Sequence, residues 1–133
     1  MSKVKATPER VRSITRLNRN SKIFKTIIAA IQEKKGVHIV SLDLRKISEA
    51  VTDFFIICQA SNGNQLKAIA DNIEVQVKKI CAETPYKQEG RQAEQWILMD
   101  YINIVVHIML PEPRKFYQLE ELWHDAPQME HES

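Results

Sequence analysis

Apolar residues recur at helical spacing in SKIFKTIIAAIQEKKG, Ser21–Gly36, where Ile23, Ile27, Ala30 and Ile31 share a face. Ser21 stands at an N-cap position, and Lys34, Lys35 and Gly36 mark the end. VHIVSLDL, Val37–Leu44, is rich in β-branched residues and predicts a strand. FFIIC, Phe54–Cys58, is a continuous apolar run and predicts a strand buried on both faces. The longest helical signal follows, carried by Leu66, Ile69, Ala70, Ile73, Val77 and Ile80 until Thr84 and Pro85 stop it. A short strand near Tyr86–Gln88 comes next, and Glu89-Gly90 forms a turn. WILMDY, Trp96–Tyr101, and IVVHIM, Ile104–Met109, then predict adjacent strands joined through Ile102 and Asn103. Pro111 and Pro113 end the sheet. FYQLEELW predicts one terminal helix with Phe116, Leu119 and Trp123 on a stripe, and the residues after Pro127 show no apolar periodicity. Helices crossing between apolar strands define an α/β domain with a mixed sheet of about five strands, covered by helices on at least one face.

Length and charge refine this picture. A chain of 133 residues, 44% hydrophobic, builds one domain with a real core. Its boundaries are set at residues 21–127, preceded by an arm, 1–20, and followed by a tail, 128–133. The arm region holds Lys3, Lys5, Arg10, Arg12, Arg16, Arg19, Lys22 and Lys25 against Glu9 alone, although the whole chain carries only +2. A basic arm therefore precedes a mildly acidic body. Three readings stand for it: a solvated tail, a surface for nucleic-acid phosphates such as ribosomal RNA, and an organellar transit peptide. Cys58 and Cys81 form no CxxC pair, and reduced thiols are expected. No run of about 18 apolar residues exists to span a membrane, and no secretory h-region is seen, so the expected location is cytoplasmic.

Candidate chemistry is sparse. IICQASNGNQLKAIAD, Ile56–Asp71, has the strand–turn–helix order of a phosphate cradle, but its turn holds one glycine and no lysine. Three glycines in the entire chain leave no dinucleotide fingerprint. Ser61 or Asn62 is sufficiently explained as a helix cap. Asp43, Asp53 and Asp100 lie at strand ends and could gather at one edge around Mg²⁺, yet the paired acids and Gly-Ser of metal-dependent nucleotidyl transfer are missing. His38, His107, His124 and His131 show no zinc spacing, and no GxSxG elbow is present. Cys58 and His107 read as strand packing. No catalytic residue, metal site or cofactor is assigned.

Interface material is plentiful by contrast. Trp96, Leu98 and Asp100 alternate with Ile97, Met99 and Tyr101, so both faces of that strand carry large side chains. Phe116, Tyr117 and Trp123 follow close behind, and such residues furnish either a core or binding hot spots.

Four motifs in order, DFFIICQASNGNQLKAIADNI, EG, AEQWILMDYINIVVHIM and RKFYQLEELWHDAP, resemble the ribosomal silencing factor family, also called Iojap-like. The resemblance spans Ser21–Pro127. It implies a nucleotidyltransferase-like core without the catalytic site. It also implies a factor that binds the large ribosomal subunit through ribosomal protein L-fourteen, blocks docking of the small subunit and represses translation. Members form homodimers, and organellar relatives serve mitochondria or chloroplasts. Carried onto this chain, it places Trp96, Leu98, Asp100 and Tyr101 at or beside the partner surface, with Tyr117, Glu120 and Trp123 as further contributors from the last helix. Two departures stand out. Ile102-Asn103 replaces the family's Gly-Asp, which predicts a longer or different connection, because isoleucine resists positive φ. Asn64 replaces a basic residue before the long helix. The alternative from another class is a nucleotide-binding or nucleotidyltransferase-like enzyme.

Overall fold

The computed structural model describes residues 17–133; most of the basic arm lies outside them. The chain runs α1 (Lys22–Glu33), β1 (Val37–Asp43), β2 (Phe54–Gln59), α2 (Gly63–Cys81), β3 (Lys87–Glu89), β4 (Trp96–Asp100), β5 (Ile104–Met109), α3 (Pro111–Tyr117), α4 (Leu119–Leu122) and β6 (Gln128–His131). The strands form one mixed sheet in the order β3-β4-β5-β2-β1-β6. Only β2 and β5 are parallel, with α2 in the connection between them. All other neighbours are antiparallel.

Helices α1 and α2 cover the back of the sheet. Ile27 and Ile31 of α1 and Ile69, Ile73 and Val77 of α2 pack there with Phe54, Ile56, Ile97 and Ile108. Because side chains alternate along each strand, the front presents Val40 and Leu42 of β1, Ile57 of β2 and Met109 of β5. Leu44, Leu119 and Ala126 close over part of it, and Phe55, Trp96 and Trp123 stay only half-buried. The two faces are thus unequal, one sealed by two helices and one partly open.

The ends of the elements depart from the sequence reading in instructive ways. Ser21 occupies the N-cap of α1 without capping it through its side chain; its Oγ accepts instead from the Asn18 amide at 3.0 Å. Ile80, expected on the buried stripe of α2, is exposed near the helix end. Gly36 follows α1 because a Cβ there would come within 2.5 Å of Ile31 Cγ2, while the left-handed residue of that turn is Lys35.

The single helix expected over Phe116–Trp123 is broken. Gln118 takes φ 45° and ψ 61°, and its amide closes α3 on the Arg114 carbonyl. The break lets Leu119 turn inward to the front core while Phe116 stays outside. The residues after Pro127 are not merely a tail but supply a sixth strand, β6, paired antiparallel with β1. Its outer residues are exposed, so backbone hydrogen bonds hold it and no hydrophobic period marks it. His131 anchors it through a 2.9 Å contact between Nε2 and Ser41 Oγ, with its ring 5.8 Å from that of Phe24.

The connection between β4 and β5 is as short as the sequence spacing allows. Ile102 adopts φ 72°, and the Asn103 amide donates back to the Tyr101 carbonyl at 2.9 Å. Of the two expected outcomes, a longer connection or one of another type, the second holds: Ile102 takes positive φ and Asn103 does not, so the connection stays short but is not the type I′ turn. Asp100 Oδ1 accepts from the Ile102 amide at 2.7 Å and helps hold the tight turn.

Candidate partner-binding face

Trp96 opens β4 and points to the front. Its indole Nε1–H donates to His107 Nδ1 at 3.1 Å, across one diagonal of the β4–β5 pair. The Tyr117 ring lies 4.9 Å from that of Trp96, and Phe116 lies 4.9 Å from Tyr117. On the other side of His107, the Phe55 ring stands edge-on at 4.6 Å and leads to Trp123 at 5.9 Å. Phe116, Tyr117, Trp96, His107, Phe55 and Trp123 thus form a continuous row across the front of the sheet. Leu98 sits half-buried opposite His107. At the margins Phe116 is 79% exposed and Leu122 69%, so apolar surface continues outward.

Burial sets the protonation state of the row's imidazole. His107 is 4% exposed, and burial pushes its pKa down to about 4 against the opposing pull of Asp100 and Glu120. It is therefore neutral near pH 7. Since Nδ1 accepts from Trp96, the proton resides on Nε2, which has no hydrogen-bond partner among the described residues. Glu120 receives Arg114 Nη2 at 2.7 Å, and Arg114 Nη1 donates to the His38 carbonyl. This tie fastens the α3–α4 break to the start of β1.

The structure divides the residues singled out in sequence. Trp96, Leu98, Tyr117 and Trp123 share the front, with Glu120 as the carboxylate that braces Arg114. Asp100 points the same way but is 3% exposed and serves the turn. Tyr101 lies on the opposite face in the back core, where burial first, then Glu74 and Glu83, raise the pKa of its phenol. Asp100 and Tyr101 are both buried, the first at the end of β4 and the second just beyond it in the back core. Sequence reasoning missed Phe55, Leu122 and His107 as parts of this face. Phe55 was hidden in an apolar run read as wholly buried, and its signal was its place between Phe54 and Ile56, which face the back.

The phosphate-cradle geometry resolves into a cap. Asn62 Oδ1 accepts from the Gln65 amide at 2.8 Å, while Gln65 Oε1 reaches back to the Ser61 amide at 2.8 Å. A Cβ on Gly63 would meet Glu94 Oε1 at 2.5 Å, so an acidic side chain lies against the helix start, paired with Lys67 at 2.8 Å. The strand-end acids are also engaged. Asp43 is bound by Arg45 at 2.7 Å, which holds its carboxyl below the usual range. Asp53 Oδ2 accepts from the Leu17 amide and Asn103 Nδ2. Among the described residues, no three His, Cys, Asp or Glu side chains gather as a metal site.

Fold and face together define the class: an α/β domain with one sheet, sealed by helices behind and presenting an aromatic row in front. The family described as "Ribosomal silencing factor during starvation" matches residues 18–133. A ribosomal silencing factor of Halalkalibacterium halodurans is 34% identical over 84% of this chain and 93% of its own length. One from Haemophilus influenzae is 42% identical over 67% of this chain and 85% of its own. A crystal structure of a Chromobacterium violaceum protein, 32% identical, superposes with a TM-score of 0.73 over 77% of this chain and 84% of that one. The chain belongs to the ribosomal silencing factor family.

Proposed function

We propose that this protein represses translation by docking its front face on the large ribosomal subunit, through ribosomal protein L-fourteen, and obstructing the small subunit. The observation that carries this reading is the continuous aromatic row with Trp96 at its middle. Aromatic side chains held in fixed geometry are the usual centres of binding energy, and apolar neighbours around them exclude water. A standard interface needs about 800 Å² from each partner, which one face of a domain this size can supply. The matched family's name supports a ribosomal partner.

The protein acts without substrate turnover. Its partner is met in the cytoplasm of a bacterial cell, as the bacterial relatives support. The basic arm adds contacts to ribosomal RNA, and the chain also forms a homodimer.

Co-sedimentation with purified large subunits tests the reading, together with an assay of subunit joining. The parent protein is expected to sediment with large subunits and slow joining. Trp96→Glu buries a charge at the centre of the face and is expected to abolish both effects. A parent that fails to bind overturns the function, and a Trp96→Glu variant that binds equally overturns the face.

A further inference from the structure

We propose that His107 is a positioning residue for this face: its Nδ1 holds the Trp96 indole in the orientation that a partner meets. The inference rests on the ribosome-binding reading of the front.

Trp96 is half-buried and begins its strand, so backbone pairing fixes its Cα but not its ring. The ring is fixed from two sides. Tyr117 packs against the indole at 4.9 Å, and His107 accepts the indole N–H at 3.1 Å. His107 is itself clamped, 4% exposed and edge-on to Phe55 at 4.6 Å. A leucine would fill the strand position without burying a polar ring. The histidine instead leaves Nε2 without a hydrogen-bond partner among the described residues, a costly arrangement for pure packing. What the imidazole supplies, and an apolar side chain cannot, is an acceptor at Nδ1. Burial keeps the ring neutral near pH 7, so that acceptor is present under ordinary conditions. The charged groups that pull the other way are Asp100 on β4 and Glu120 on α4. Fixing an aromatic anchor before association lowers the entropy lost on binding, so the effect belongs to affinity as well as to the fold.

The experiment compares three variants of the full chain: His107→Leu, which removes the acceptor, His107→Asn, whose amide oxygen replaces it, and Trp96→Phe, which removes the donor. Large-subunit affinity and the urea midpoint are read for each, and the indole N–H resonance of Trp96 for the parent and the two His107 variants. His107→Leu is expected to weaken binding about tenfold and shift the resonance upfield, the size of one well-placed hydrogen bond. His107→Asn is expected to restore both to near the parent. Trp96→Phe should lose a similar factor, and adding His107→Leu to it should cost little more. Equal weakening by the Leu and Asn variants overturns the proposal, as does a folded His107→Leu variant with parental affinity and an unmoved resonance. If His107→Leu does not fold, a folded His107→Asn variant that loses affinity, or a Trp96→Phe variant that keeps parental affinity, overturns it instead. A parent that binds no large subunits refutes the ribosome reading, while the indole resonance still decides whether His107 positions Trp96.

Discussion

His107 lies on β5 and Tyr101 just past the end of β4, yet their side chains do opposite things. Tyr101 is directed into the back core with its hydroxyl lacking a hydrogen-bond partner among the described residues. Removing that hydroxyl leaves the packing intact and relieves a buried polar atom. Tyr101→Phe is therefore expected to leave large-subunit binding unchanged and to stabilise the fold by up to about 1 kcal/mol. Urea titration beside co-sedimentation checks both halves, and lost affinity would return Tyr101 to the interface. His107 makes stability depend on pH. Its folded pKa, about 4, lies below the ordinary value of 6.5, so the unfolded chain binds more protons between those limits. Its contribution is complete above pH 6.5 and is lost as pH falls toward 4. The buried ring accounts for no more than about 3 kcal/mol across that window. His131, also lowered by burial, acts in the same direction, whereas Asp43, held down by Arg45, acts only at more acidic pH. Urea midpoints at pH 7.5 and 5 should therefore differ more in the parent than in His107→Asn.

Elements were legible where side chains announce them. The periodicity of α2 and the alternation of β4 are both consequences of burial on one side, and both are seen in the structure. A cap at Ser61 or Asn62 was equally readable, because a small polar residue before a helix has few other roles, and the structure puts it at Asn62. Elements specified by backbone were not readable. β6 is held by its ladder to β1 and by His131, with Gln128, Met129 and Glu130 turned to solvent. Deleting residues 128–133 removes a strand rather than a tail, and the urea midpoint is expected to fall clearly; an unchanged midpoint would show that the ladder contributes nothing. The break at Gln118 escaped notice because no glycine marks it. Its left-handed conformation costs a residue with a Cβ about 1 kcal/mol, so Gln118→Gly is expected to stabilise by roughly that amount. A fall in the urea midpoint of Gln118→Gly would contradict the αL cap.

At the scale of the molecule, the unequal covering of one sheet is the central fact. Helices α1 and α2 close the back, and the start of α2, where a phosphate would sit in a nucleotide enzyme, is capped from within and faced by Glu94. The front keeps an aromatic row at its surface. The sequence made the fold class readable and also pointed to Trp96, because a tryptophan among alternating apolar residues is conspicuous. It could not separate front from back in WILMDY, since both faces of that strand are apolar and only the packing of α2 assigns them. For the same reason His107 became visible as a neighbour of Trp96 only once the register of β4 on β5 was seen, and Phe55 as a neighbour of His107 only once β2 and β5 were seen to pair in parallel. Single-particle imaging of large ribosomal subunits with this protein added tests the central claim most directly. The account predicts one copy bound at ribosomal protein L-fourteen with Trp96, Tyr117 and Phe55 turned toward it. Density with the α1–α2 face against the subunit, or no bound copy, would contradict it.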